Sequence, residues 1–133
     1  MTKVAIYNEF VHEREEEKIK EIYPEGIHMA IKSFLNDDEY EVVTTTLDDH
    51  EQVLTPEFLK TVDVLLWWGH MAHPKVSDKV ASDVRDAVHE GMGFIALHSG
   101  HHSKPFKLLM GTPCNLSWRE HGDKERVWGI DPS

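Results

Sequence analysis

The sequence predicts an α/β fold, a three-layer sandwich in which a mainly parallel sheet lies between two layers of helices. Strand-like and helix-like segments alternate along the chain, an order typical of right-handed βαβ units. The run Val64–Trp68 is apolar throughout, and residues 93–98 are apolar as far as His98, as in strands buried on both faces of a parallel sheet. The 133 residues contain no linker and no internal repeat, so we expect a single domain over residues 1–133.

The first half of the chain alternates two strands with amphipathic helices. Strands are expected at residues 4–10 and, from its β-branched and aromatic residues, at Tyr40–Thr46. Residues 13–23 predict a helix with an acidic first turn, which suits the positive end of the helix dipole. A proline separates it from a second helix, whose apolar stripe covers residues 27–35 and which is expected to end at residues 36–38.

The second half continues this alternation and ends on an unaccompanied strand. Caps, first-turn prolines and glycine stops predict helices at residues 55–62, 77–91 and 105–111. Residues 112–122 have no period and predict a loop, and residues 126–130 predict a last strand. Because no helix follows that strand, one side of the sheet is left uncovered, and its open edge predicts a homo-oligomer.

Composition argues against several classes of function. The net charge is −10 and no basic patch stands out, so nucleic acid is not an expected partner. An acidic surface also disfavours anionic membranes. The first residues lack the plan of a signal peptide, and no apolar run approaches membrane-spanning length. The one cysteine, Cys114, can form no internal disulfide, so we expect a cytoplasmic protein in which this thiol is incidental.

Histidines are unusually abundant, with ten in the chain, and several follow predicted strands. In a flavodoxin-like strand order, 2-1-3-4-5, the carboxyl ends of the first, third and fourth strands meet at one point, where such folds bind ligands. The polar residues at those ends are Asn8, Glu9 and His12; His70 and His73; and His98, Ser99 and His101. Asn8 and Glu9 also fit a second role, as caps of the following helix. One carboxylate, several imidazoles and a hydroxyl are thus expected to share a pocket.

Three chemistries fit these groups. Imidazoles with a carboxylate suit a divalent metal such as zinc. His98 or Glu9 could instead move a proton on a sugar or carbonyl substrate. The third chemistry is nucleophilic catalysis, because residues 96–100 (ALHSG) resemble a nucleophile elbow with His98 at its centre. The expected metal ligands are His70, His73 and His101.

Other aromatic residues are expected to have ordinary structural roles. His28 and His89 lie within predicted helices and are expected on the solvated surface, and His50 is expected in a loop. Trp67 and Trp68 are adjacent on a strand, so they point to opposite faces. One of them belongs to the core, and the other either joins the core or reaches toward the pocket.

Five segments closely resemble a known family, and together they cover essentially the whole chain. They are YNEFVHE, EIYPEGIH, LLWWGHMAHPKVSDKV, EGMGFIALHSGHHSKPFKLLMGT and LSWREHGDKERVWGIDPS, and they resemble the trehalose-utilisation (ThuA-like) family. The resemblance implies a class I glutamine-amidotransferase-like fold and a role in the metabolism of trehalose, related sugars or their keto derivatives. Glutamine amidotransferases carry a cysteine at the elbow, where this chain has His98, so glutaminase activity is not expected. Family members usually continue beyond the final DPS, so we also expect the chain to lack C-terminal elements of the family.

The leading hypothesis is an enzyme that converts a sugar or keto-sugar, with His98 and Glu9 as its catalytic residues. The residues expected to bind the substrate are Asn8, Ser99, Lys104, Trp118, Arg119 and Glu120. Among these, Trp118 would stack on a pyranose ring, because the apolar face of a sugar packs well on an aromatic surface. The alternative is a non-catalytic sugar-binding or regulatory protein that kept an amidotransferase-like pocket without the nucleophilic cysteine.

Overall fold

The computed structural model describes residues 1–35 and 38–131. Its centre is a four-stranded parallel sheet in the order β2-β1-β3-β4, flanked by helices as a three-layer sandwich. The strands are β1 (Thr2–Asn8), β2 (Tyr40–Thr46), β3 (Val64–Trp68) and β4 (Gly93–Leu97). The predicted fold class, which is consistent with a flavodoxin-like arrangement, is confirmed. Asn36 and Asp37, where a helix was expected to end, lie outside the described residues, as do Pro132 and Ser133.

The helices follow the predicted alternation, with differences where local conformation breaks them. They are α1 (His12–Glu15), α2 (Glu17–Ile22), α3 (Ile27–Phe34), α4 (His50–Val53), α5 (Pro56–Leu59), α6 (Asp78–His89) and α7 (Lys104–Met110), with 3₁₀ helices at His73–Lys75 and His98–His102. The helix predicted at residues 13–23 is split because Glu16 is extended, with φ −111° and ψ 109°. Strand β1 ends before residue 10 because Phe10 has a φ of 53°. Nowhere in residues 1–35 and 38–131 is a helix both long enough and apolar enough to cross a bilayer.

The hydrophobic core lies between one face of the sheet and helices α4 to α6. Tyr7 of β1 and Trp67 of β3 are fully buried in it and stack with ring centroids 3.8 Å apart. Val80 and Val84 of α6 pack against them in the same cluster. Helix α6 begins where predicted, because the Ser77 hydroxyl accepts a hydrogen bond from the Val80 N–H (3.4 Å). Trp67 is therefore the core tryptophan of the adjacent pair, and Trp68 faces the other side of the sheet.

The strand predicted at residues 126–130 is wrong. Residues 112–131 form no regular helix or strand, and residues 115–131 are exposed. Trp128 is 74% exposed, with the Arg126 guanidinium 5.7 Å from its ring centroid, and Ile130 is 96% exposed, so neither side chain joins the buried core of the described residues. Strand preference reflects packing on a pleated, half-buried surface more than backbone propensity. The edge strands of the sheet are therefore β2 and β4.

Candidate functional site

Glu9 joins the carboxyl ends of the two central strands. Its backbone N–H donates to the Trp68 carbonyl (3.2 Å), which extends the pairing of β1 with β3 by one residue. Its side chain is buried, and Oε1 accepts from the Met71 N–H (2.6 Å) while Oε2 accepts from the Ala72 N–H (2.8 Å). Hydrogen bonds from backbone N–H groups to a carboxylate are strong. Glu9 therefore fixes the loop that follows β3.

Gly69 brings Glu9 and His73 to the same small space. A Cβ atom at residue 69 would lie 3.1 Å from both Nδ1 and Cε1 of His73 and 3.3 Å from Oε2 of Glu9. Because glycine has no Cβ, the two side chains can approach its Cα this closely at the end of β3. The two neighbours are the imidazole of His73, which begins a 3₁₀ helix, and the Glu9 carboxylate.

The surroundings of His73 favour its neutral form. Partial burial is the largest influence and lowers the pKa of His73 below its ordinary value of 6.5. Glu9 acts in the opposite direction, whereas His102, Lys107 and His101 lower the pKa further. At neutral pH the ring is therefore uncharged and able to accept a proton. The Glu9 carboxylate beside it would stabilise the imidazolium that forms.

Two further histidines extend the site away from Glu9. The His102 ring centroid lies 6.3 Å from that of His73, and the His101 centroid lies 4.2 Å from that of His102. Nδ1 of His101 donates to the Cys114 carbonyl (2.8 Å), and Nε2 of His102 donates to Oδ1 of Asn115 (3.1 Å). Each of these rings thus keeps one nitrogen free of protein hydrogen bonds among the described residues.

His98, the predicted catalytic residue, lies on the surface at the start of its 3₁₀ helix. Its φ of 46° is uncommon for a residue with a side chain, and such strain is typical of functional turns. Among residues 1–35 and 38–131, no hydrogen bond, ion pair or ring contact joins His98 to Glu9 or His73. The Ser99 hydroxyl that follows is buried without a hydrogen-bond partner in that same part of the chain. The catalytic role of His98 stays a prediction.

The other predicted substrate-binding residues are engaged elsewhere. Nζ of Lys104 donates to the Val76 carbonyl (2.6 Å) and to Oδ1 of Asp78 (2.7 Å), which ties α7 to the start of α6. Trp118, Arg119 and Glu120 lie in the exposed segment after residue 112, where Arg119 pairs with Asp123 (2.9 Å). Across the described residues, no hydrogen bond, ion pair or ring contact joins this trio to the strand ends.

The expected metal ligands do not come together. His70 turns away from His73 and stacks on His12, with centroids 4.7 Å apart, whereas His73 faces His102. Within the described ranges, no three histidine, cysteine, aspartate or glutamate side chains are placed where they could hold a metal ion. Binding of a divalent metal such as zinc gains no support from this arrangement and stays a prediction.

A buried polar network lies on the other side of β1. Nδ2 of Asn8 donates to Oε1 of Glu13 (2.7 Å) and to Nδ1 of His28 (2.9 Å), and Oδ1 of Asn8 accepts from the Phe10 N–H (3.0 Å). Oε1 of Glu13 also accepts from the Ile27 N–H (2.8 Å), which anchors α3. Asn8 is therefore fully occupied by structural bonds. The sequence feature that could have indicated this network is Glu13, an acidic residue soon after the polar strand end at Asn8.

The surface location predicted for His28 and the loop location predicted for His50 are both wrong. His28 is buried because it accepts the hydrogen bond from Asn8, twenty residues earlier. His50 begins α4 and is buried, because its Nδ1 donates to the Leu47 carbonyl (2.7 Å) and its Nε2 accepts from the Ser77 N–H (3.1 Å). These partners are distant in sequence or fixed by tertiary packing, so no local pattern could identify them. His89 is exposed, as predicted.

Comparison with known proteins covers this site and the whole sheet. The family model for trehalose utilisation (ThuA) matches residues 3–131 of the 133-residue chain. None of the curated proteins matches the chain. The matched range includes Glu9, Gly69 and His73. The chain therefore belongs to the trehalose utilisation family.

Proposed function

We propose that this chain acts on a disaccharide or its keto derivative, with His73 transferring a proton in the space in front of Gly69. The observation that supports this is that the His73 imidazole, whose pKa is lowered by burial, and the buried Glu9 carboxylate both lie against Gly69, where a Cβ would meet the two side chains. Membership of the trehalose utilisation family supports a sugar as the substrate. The single cysteine favours the cytoplasm as the site of this function.

The reaction we propose is removal of a proton from the carbon next to the keto group of an oxidised sugar. The proton goes to the His73 imidazole. The electron pair of the broken C–H bond forms a C=C bond while the π pair of the carbonyl moves onto its oxygen, which gives an enediol after protonation. Glu9 stabilises the imidazolium. Lys107 carries positive charge near His73, which suits the developing negative charge on oxygen.

The experiment is deuterium exchange at the carbon next to the carbonyl of keto-trehalose, followed by NMR in heavy water. We expect His73→Gln to slow exchange by about 100-fold, the usual contribution of a positioned general base. His89→Gln, an exposed histidine at the end of α6, is the matched control and keeps the full rate. Exchange that His73→Gln leaves unchanged would overturn the assignment. His98→Ala in the same assay tests the role predicted for the elbow residue.

A second candidate function is sugar binding or regulation without catalysis. The observation that favours it is that His98, with its positive φ, occupies the elbow position where an amidotransferase has a cysteine. Calorimetry with trehalose and keto-trehalose, followed by product analysis, separates the two functions. Binding without product or exchange supports the non-catalytic function.

A further inference from the structure

Three aromatic rings lie close together at the carboxyl ends of β1 and β3, those of His12, Trp68 and His70. None of them belongs to the proposed proton-transfer pair. The rings of His12 and Trp68 are nearly parallel, at 3°, with centroids 6.3 Å apart. The His70 ring is 4.7 Å from His12 and 6.2 Å from Trp68, inclined by 20° and 21°. The three rings thus share one orientation although they come from two different strand ends.

These three rings do not belong to the hydrophobic core. Trp67 fills the core face of β3, and the alternation of a strand puts Trp68 on the opposite face. Trp68 and His12 are only partly buried, and His70 is exposed. The three rings therefore have roughly parallel planes and remain partly open to solvent at the edge of the sheet where parallel α/β folds bind ligands.

The platform formed by Trp68, His70 and His12 adjoins the proton-transfer groups along the chain. Gly69 separates Trp68 from His70, and the side chains of His73 and Glu9 lie against Gly69. The Glu9 bonds to Met71 and Ala72 hold the same loop. Two sides of one fixed loop thus present an aromatic surface and a proton acceptor.

We propose that this platform is a second sugar subsite, on which one ring of a disaccharide lies while the other ring reaches His73. The inference rests on the proposed function, which supplies the sugar. The C–H face of a pyranose packs on planar aromatic groups, and imidazole nitrogens can bond its hydroxyls. Because the subsites flank Gly69, two linked rings can occupy both, whereas a single ring occupies one. The sugar-stacking residue is then Trp68, in place of the predicted Trp118.

The test is calorimetric titration of the full chain with trehalose and with methyl α-glucoside. We expect Trp68→Leu to weaken trehalose by about tenfold, the size of one aromatic contact, and to change methyl α-glucoside far less. Trp128→Leu is the matched control, because Trp128 is an exposed tryptophan of the C-terminal segment. Loss of trehalose binding in Trp118→Leu but not in Trp68→Leu would overturn the proposal, and so would a wild-type chain that binds no disaccharide.

A second measurement covers the case in which Trp68→Leu does not fold. The Cε1–H signal of His70 in the wild-type chain should shift when trehalose is added, while that of His89 should not. An unmoved His70 signal at saturating trehalose contradicts the platform. Failure of the proposed function can be told apart from failure of the subsite. Unchanged deuterium exchange in His73→Gln would rule out the catalytic role of His73, but trehalose affinity would still depend on Trp68.

Discussion

Glu9 and Glu13 are both 1% exposed and both follow β1, yet their carboxylates are satisfied differently. Both oxygens of Glu9 accept backbone N–H groups from the loop after β3. In Glu13, Oε1 accepts from Asn8 and Ile27, whereas Oε2 is buried without a hydrogen-bond partner among the described residues. The two carboxylates are therefore equally buried but differ in how completely they are hydrogen-bonded.

The difference separates a functional carboxylate from a structural one. Glu9 is fully satisfied, lies beside an imidazole and fixes the loop that shapes the space in front of Gly69. Glu13 connects β1 to α3 on the far side of the strand and faces no group that the proposed reaction uses. A buried carboxylate that is only partly satisfied costs stability, so the charge of Glu13 is expendable while that of Glu9 is not.

The largest expected effect is that of Glu9→Gln. The glutamine side chain keeps one acceptor but turns an NH₂ group toward a backbone N–H donor, so one of the bonds to Met71 or Ala72 is lost. We expect the free energy of unfolding to fall by about 2 kcal/mol, and deuterium exchange on keto-trehalose to fall by about 100-fold. Urea unfolding and the exchange assay measure the two effects. A fully active Glu9→Gln protein would remove Glu9 from the site.

Glu13→Gln is the matched comparison and should change little. The glutamine oxygen can still accept from Asn8 and Ile27, and its NH₂ group replaces an oxygen that has no partner. We expect a free energy of unfolding within about 1 kcal/mol of the wild-type value, and an unchanged exchange rate. Equal losses in Glu9→Gln and Glu13→Gln would show that the two carboxylates are not distinct.

A smaller effect is the pH dependence of stability that arises from His28, which shares its partner Asn8 with Glu13. Burial, the largest influence, lowers the pKa of His28 from 6.5 and outweighs the opposing effects of Glu13 and Asp49, while Arg14 lowers it too. The folded state therefore binds fewer protons than the unfolded chain, so this contribution to stability is present above pH 6.5 and is lost as the pH falls through the folded pKa. Protonation would also set the His28 Nδ1 donor against the Asn8 Nδ2 donor.

Urea unfolding between about pH 7.5 and pH 5 measures this dependence. We expect stability to fall on acidification in the wild-type chain and to fall less in His28→Gln. His89→Gln, which changes an exposed histidine, should follow the wild-type curve. A steeper loss in His28→Gln than in the wild-type chain would contradict the sign of the His28 shift.

The sequence predicted those parts of the fold that local patterns encode. The apolar run Val64–Trp68 forms β3, and the Ser77 cap lies at the start of α6, as predicted. Burial and capping can be predicted because both depend on the types of residues that are adjacent in the sequence. The strand at residues 126–130 was predicted from the same local evidence. It failed because a strand also needs a partner, and the described residues give Trp128 and Ile130 none.

The sequence predicted which residues could belong to the candidate site, but not the contacts between them. Glu9 and His73 were placed at strand ends by the order of the elements, but the bonds from Glu9 reach residues 62 and 63 positions away. No periodicity encodes such a contact. Nor could spacing show that His70 stacks on His12 instead of joining His73, because that contact links the ends of two different strands.

Gly69→Ala tests most directly whether the space between His73 and Glu9 is the reaction site. Gly69 has no positive φ, so alanine fits the backbone, but its Cβ would press on both side chains at 3.1 and 3.3 Å. The control is Gly122→Ala, where a Cβ meets nothing within 4 Å. We expect Gly69→Ala to fold and to lose most deuterium exchange on keto-trehalose, while Gly122→Ala keeps it. A folded Gly69→Ala protein that exchanges at the wild-type rate would contradict the account.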